Sequence, residues 1–258
     1  MLKRIAFCGL VGLLVSTTSA FANLSWNAVS DFPTVTGPTT PAQSTDGVWL
    51  YGYSPTLNPV NFTQDTTATT DYFGDGKAAG FYTPTSGTSY GPYNLPTVLQ
   101  NISGGNLNEG SITNWPTTLL LLHPGPSGDY SVVRFIAPTS ATYVISGIFT
   151  AIDSGNTADT ASVTTSGPSS TLLYSTNSTS APHTFTFNQA LTAGESLDFA
   201  VGWGVNNQFD NDSTGFDATI TATPEPGLYG VLALGLTALV VAVCRRKADV
   251  VRIENETN

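Results

Sequence analysis

Between Asn23 and Thr223 no window sustains an apolar period of 3.6 residues, and each apolar run is soon cut by Gly, Pro, Asn or Asp. A helix of a globular domain needs apolar residues at i, i+3, i+4 and i+7, whereas short β-branched and aromatic runs between turn formers predict strands. The runs are Val48–Tyr53, Gly80–Thr83, Thr97–Ile102, Thr117–Leu122, Tyr130–Ile136, Thr142–Ile152, Ala161–Thr165, Thr171–Ser175, Thr184–Phe187, Ser196–Gly202 and Phe216–Ala222. Alternation within them predicts half-buried strands: Phe185 and Phe187 oppose Thr184 and Thr186, and Leu197, Phe199 and Val201 oppose Asp198 and Ala200. Leu119–Leu122 is apolar on both faces, which predicts a strand covered on each side. The fold class expected is all-β, a single antiparallel β-sandwich or jelly roll over residues 23–222. The Thr-, Pro- and Gly-rich segments 31–47 and 54–79 read as long loops.

Two segments depart from this texture. At the start, Lys3-Arg4 precede the apolar run Ile5–Val15 and the small-x-small site Ala20-Phe21-Ala22, the pattern of a secretory signal peptide over residues 1–22. Near the end, Pro224-Glu225-Pro226 is followed by residues 227–243 without a charge and then by Arg245-Arg246-Lys247. As a helix, 227–243 reaches roughly 25 Å, enough to cross a bilayer when basic side chains snorkel at one end, and the basic cluster sets that end in the cytoplasm. Both prolines stand where a helix interior cannot, so the span begins sharply.

The tripeptide, the apolar span and the arginines, in this order, resemble the PEP-CTERM sorting signal of bacterial exported proteins. The resemblance implies recognition by exosortase, a membrane transpeptidase, through Pro224, Glu225, Pro226, Arg245 and Arg246. It implies export, a C-terminal membrane anchor before processing, and then a place at the cell surface or in the extracellular matrix. The sorting signal spans residues 223–247, with a transmembrane helix at 227–243, and a polar cytoplasmic tail, 248–258, continues beyond the family's usual end. Within the body, Leu122-His123-Pro124-Gly125, Tyr130–Phe135, Tyr143–Thr150, Leu197–Gly202 and Phe216–Thr219 resemble a β-sandwich that recurs in surface proteins with this signal. In outline that body is similar to jelly-roll carbohydrate-binding modules, and no catalytic motif accompanies it.

Charge and cysteine content narrow the functions open to the body. Of 18 acidic residues, all but Glu225, Asp249, Glu254 and Glu256 lie in it, against Lys77 and Arg134 alone. Such a surface repels phosphate backbones and anionic lipid, so nucleic acid is excluded as a partner. Cys8 and Cys244 both lie outside the body, which removes disulfides, thiolate metal sites and cysteine nucleophiles from it. Arg134, beside Phe135 in a strand, needs a carboxylate partner and has a structural role.

The remaining candidates are carboxylates, histidines and aromatic rings. His123 and His183 are the only histidines, no Gly-x-Ser-x-Gly elbow occurs, and His123 reads as a turn histidine at a strand end. The expectation is therefore not an enzyme. A glycan-acting hydrolase using paired carboxylates ranks third among the functions considered. Asn206-Asn207-Gln208-Phe209-Asp210-Asn211-Asp212 supplies the oxygen donors calcium prefers, so calcium is the one cofactor considered, with Asp210, Asp212, Asp217 and Asp153 as ligands. Tyr90, Tyr93 and Trp115, flanked by Pro and Gly, are the rings expected to be exposed as platforms for a sugar's apolar face. The leading expectation is an exported surface or matrix protein whose sandwich binds polysaccharide, an exopolysaccharide above all. The alternative is a structural or adhesive component that binds proteins. A groove lined by aromatic rings beside Asn and Asp favours the first, and a convex surface without one favours the second.

Overall fold

The computed structural model describes residues 24–84, 94–155, 160–166, 171–176, 181–223, 235–243 and 245. The expected signal peptide, Pro224-Glu225-Pro226 and Arg246 lie outside these residues. The chain divides into a sandwich, Ser25–Thr223, and a second unit made of both ends. In that second unit residues 235–243 and Arg245 are helical and largely exposed. Among the described residues no helix is long and apolar enough to cross a membrane.

The sandwich is built from two antiparallel sheets. In the first, β14 (His183–Leu191), β11 (Ala141–Ala151) and β16 (Thr214–Thr223) are followed by β9 (Leu120–His123), β6 (Thr97–Asn101), β5 (Ala78–Tyr82) and β4 (Thr67–Thr69). β11 occupies one edge of β16 along its whole length. The other edge is shared: β9 pairs with Thr214–Phe216, and β1 (Ser25–Asn27) pairs with Thr219–Thr221. The second sheet runs β13 (Leu172–Thr176), β12 (Thr160–Thr165), β15 (Ser196–Gly202), β10 (Tyr130–Ile136), β2 (Trp49–Ser54), β3 (Thr63–Gln64). A separate hairpin, β7 (Leu107–Glu109) and β8 (Ile112–Trp115), lies outside both sheets. Each of the eleven runs read from sequence contains a strand, although in Thr117–Leu122 the first three residues form a turn and the strand begins at Leu120. β1, β3, β4, β7 and β8 were not expected, because each is too short to show a period; β3, β4 and the 3-10 turn Pro59–Asn61 interrupt the segment read as a long loop.

Alternation decides what each strand buries. Tyr143, Ile145 and Phe149 of β11, Phe216 and Ile220 of β16 and Phe185 of β14 share a core with Trp49 and Tyr51 of β2, Val133 and Phe135 of β10, and Leu197, Phe199 and Val201 of β15. Ring centroids lie 5.0 Å apart for Phe199 and Phe216, 5.2 Å for Trp49 and Phe135, and 5.4 Å for the stacked Tyr51 and Phe81. Each ring buries a large apolar area, so this layer supplies most of the driving force. β9 is covered twice, as its two-faced sequence requires: Leu120 and Leu122 enter the main core, while Leu121 enters a second cluster with Leu99, Ile112 and Trp115 beneath the hairpin.

On the outer face of the second sheet Arg134 of β10 stands directly opposite Asp198 of β15. Its Nε and Nη2 donate to the two carboxylate oxygens at 2.6 and 2.7 Å, and Nη2 also donates to the Pro59 carbonyl. The guanidinium lies 4.0 Å from the centroid of the Phe62 ring. That ring covers Gly52, where a Cβ would come within 2.9 Å of it. Burial raises the Asp198 carboxyl, and Arg134 works in the opposite direction. The expected carboxylate partner of Arg134 is thus Asp198, and the pair also fastens the 55–62 loop over the sheet.

Asp65 sits where the chain crosses from β3 in one sheet to β4 in the other. Its side chain is buried, and neither carboxyl oxygen has a hydrogen-bond partner. Burial pushes its carboxyl up to about 8, with the nearby Thr83 hydroxyl offsetting part of the rise. An unfolded chain ionises Asp near 3.9, so between that value and about 8 the folded state holds the extra proton. Stability from this group is therefore full below about pH 4 and is lost as pH rises through about 8. Asp65→Asn is expected to match the parent melting temperature at pH 4 and exceed it at pH 8.5. Thermal melts across that range check this, and a pH-independent difference between the two proteins refutes it.

Candidate functional site

On the outer face of the first sheet, beside the β7–β8 hairpin, lies a cleft of about 450 Å³. Its floor follows from the alternation of β6 and β9. With Val98, Leu120 and Leu122 directed to the core, Thr97, Leu99, Leu121 and His123 are left on the opposite face and line the cleft. Ile112 of β8 completes the apolar part.

Three loops form the walls. In the first, the Asp71 carboxylate accepts from the N–H groups of Gly74 and Gly76, both at 2.8 Å, and both glycines adopt positive φ. This Asx-type turn is closed onto β5 by the Tyr72 N–H donating to the Ala78 carbonyl at 2.8 Å. It presents Tyr72 and Phe73, whose rings meet edge to face at 5.1 Å. The Tyr72 hydroxyl donates to the Asn94 carbonyl at 2.7 Å, so the ring is held from both ends. The second wall is the hairpin turn from Glu109 to Ile112. The third is the segment after β15, where Asn207 and Asn211 take left-handed conformations and Phe209 faces the cleft. Phe209 lies 6.5 Å from Trp203 and 6.4 Å from His123. Trp203 is fixed by its indole N–H, which donates to the Gly125 carbonyl at 2.7 Å. His123 Nδ1 lies 2.9 Å from the Pro124 carbonyl, a contact in which the imidazole must donate.

Asp153 joins the second and third walls. One carboxylate oxygen accepts from the Ser111 hydroxyl at 2.7 Å, the other from the Ser213 N–H at 2.6 Å. Backbone bonds run beside it, from Thr113 N–H to the Ile152 carbonyl and from Ile152 N–H to the Ser213 carbonyl. The end of β11 therefore holds both walls at a set spacing.

The residues expected to bind ligand fall in different places. Trp115, expected among the exposed rings, is fully buried: it fills the second cluster and its indole N–H donates to the Leu119 carbonyl at 2.8 Å. Pro116 after it suggested a loop, but the hairpin folds back over β9 and turns the ring inward. Tyr90 and Tyr93 lie outside the described residues. The four carboxylates considered for calcium do not converge. Asp153 is engaged by Ser111 and Ser213, Asp210 is exposed at the rim of the cleft, and Asp212 is fully buried. Asp217 lies farther along β16, where it accepts from the Asn27 side chain at 2.9 Å, and burial raises its carboxyl. Among the described residues no three His, Cys, Asp or Glu side chains lie close enough together to hold a metal ion. Sequence reasoning missed Tyr72, Phe73 and Phe209 as site residues. Their signal was two aromatic residues between Asp71 and Gly74, and one inside an Asn- and Asp-rich loop, positions where a core residue is not expected.

The cleft thus sets an apolar floor and three aromatic rings beside Glu109, Ser111, Asp210, Asn211 and Ser213. That combination suits a ligand with an apolar face and a hydroxylated edge, and the volume lies within the range of small-molecule sites. Asp153→Ala is expected to cost about 1–3 kcal/mol by orphaning Ser111 and the Ser213 N–H. Amide exchange should accelerate at residues 111–113 and 209–213 while β10 and β15 stay protected. Unchanged exchange in both walls would remove Asp153 from this role.

No protein-family model matches the chain, and no curated protein matches it. Among solved structures it is similar to a family 29 carbohydrate-binding module, with 8% identity and a TM-score of 0.31, covering 48% of this chain and 81% of that one. It is similar to the N-terminal cellulose-binding domain of β-1,4-glucanase C from Cellulomonas fimi, with 19% identity and a TM-score of 0.28 over 48% and 95%. A third is the CBM35 of Cellvibrio japonicus Abf62, at 14% identity and a TM-score of 0.28 over 50% and 93%. Overlaps of this size carry nothing about ligand or site.

Proposed function

We propose that the chain is an exported surface or matrix protein, sorted through its PEP-CTERM-like C-terminal signal by an exosortase, whose sandwich binds polysaccharide without catalysis. The observation that carries the binding half is the cleft beside the hairpin, where Tyr72, Phe73 and Phe209 stand next to Asp210 and Asn211 over an apolar floor. Rings offer faces to the C–H side of a pyranose, and carboxylate and amide oxygens accept from its hydroxyls. A groove of aromatic rings beside Asn and Asp is also the feature that separates glycan binding from a purely adhesive role. The sorting half rests on the order of Pro224-Glu225-Pro226, the uncharged run 227–243 and Arg245-Arg246-Lys247.

The binding half is tested by a glycan array followed by titration of the best ligand, the producer's own exopolysaccharide included. Phe73→Ala and Phe209→Ala are each expected to weaken binding by roughly tenfold or more, with the melting temperature close to that of the parent. Full affinity in both variants removes the cleft as the site, and silence across all sugars moves the protein to the adhesive class. The sorting half is read by intact mass of the mature protein from exosortase-bearing cells. The expected form ends near Pro226; a mass that includes Asn258 contradicts processing.

A further inference from the structure

The formally charged side chains that line the cleft are all acidic. Glu109, half-buried at the end of β7, and Asp210, exposed in the loop after β15, both line it, and no Lys or Arg does. The sandwich has two cations to offer, Lys77 and Arg134, and both are engaged. Arg134 is bound to Asp198 at 2.6 Å on the outer face of the other sheet. Lys77, exposed in the loop that presents Tyr72 and Phe73, is bound to Asp75 at 2.6 Å, and its charge also acts on Glu109. His123 also lines the cleft, with its Nδ1–H committed to the Pro124 carbonyl.

A sugar carboxylate or sulfate placed on the aromatic rings would find no Lys or Arg lining the cleft to pair with. It would lose hydration on entry and would face Glu109 and Asp210 within a screening length of about 10 Å. Hydroxyl and ammonium groups meet the opposite situation, because both donate and carboxylate oxygens accept. We propose that the cleft selects glycans by charge, taking neutral and amino-sugar units and rejecting uronate- and sulfate-bearing ones. This rests on the glycan-binding reading above and names the ligand class for the same site. An acidic exopolysaccharide is then engaged only through its uncharged or amino-bearing residues, or not at all.

The test uses the full chain, titrated at pH 8 and low salt with matched hexasaccharides: glucose against glucuronate, mannose against mannuronate, galactose against galacturonate, with glucosamine and galactosamine hexamers added. In any pair that binds, the uronate member is expected to be roughly tenfold weaker or worse. The gap should narrow in 0.5 M sodium chloride, and the Glu109→Gln/Asp210→Asn double variant, whose amides still offer an acceptor oxygen, should close most of it as a ratio within each pair, whatever it does to the neutral affinity. The amino members should bind at least as tightly as their neutral partners and lose that advantage in the double variant. Equal binding within a pair, or a gap that survives in the double variant, overturns charge selection and leaves glycan binding standing. Failure of every sugar to bind overturns both.

Discussion

The structure turns on three residues of β9 whose side chains are apolar on both faces of the sheet. Leu120 and Leu122 belong to the sandwich core, which leaves Leu121 on the wrong side, facing water in any simple two-sheet fold. Burying it, together with Leu99 beside it, calls for a third layer, and the β7–β8 hairpin with Ile112 and Trp115 is that layer. The cover is incomplete: it seals the end of the sheet nearest Trp115 and stops at the turn around Gly110. The cleft is the part of the same apolar face that the hairpin does not reach, walled by the Tyr72–Phe73 loop and the Phe209 loop. Core formation and site formation are thus two outcomes of one sequence pattern.

Charge is distributed with the same economy. The Arg134–Asp198 pair sits on the outer face of the second sheet, and its geometry explains why it is kept there. A bidentate contact, a carbonyl at the third donor position and an aromatic ring under the guanidinium together satisfy a charge that burial would otherwise penalise. Lys77 is held by Asp75 in a loop adjoining the cleft. The cleft is consequently lined by carboxylates, an amide, an imidazole, a few hydroxyls and rings but by no Lys or Arg, and its chemistry follows from what the rest of the fold has taken.

The long strands of the two sheets were legible because each sends several alternate side chains into the core, so period two repeats often enough to be seen: Leu197, Phe199 and Val201 on β15 or Phe185 and Phe187 on β14. The mixed face of Leu119–Leu122 was legible for the same reason, and it predicted a cover without saying which segment supplies it. Short elements carried no such signal. β7 and β8 together show one large ring, Trp115, and its neighbours Asn114 and Pro116 pointed to solvent while tertiary contact with β9 buried it. The site was obscured by the same limit. Tyr72 and Phe73 join Phe209 only when two loops more than a hundred residues apart meet over β9, and nothing local marks that meeting. Asp153 and Asp210 were both noticed as acids, but the difference between a tie across two walls and a rim carboxylate exists only in three dimensions.

β16 leaves one more consequence. It begins at Thr214, next to Ser213 in the wall of the cleft, and ends at Thr223, the last residue of the sandwich. Ten extended residues span roughly 30 Å. The cleft end and the exit of the polypeptide are therefore at opposite ends of one strand, clamped along its length by β11. That strand is a spar that sets the mouth of the cleft a full strand length from Thr223, where the chain leaves the sandwich.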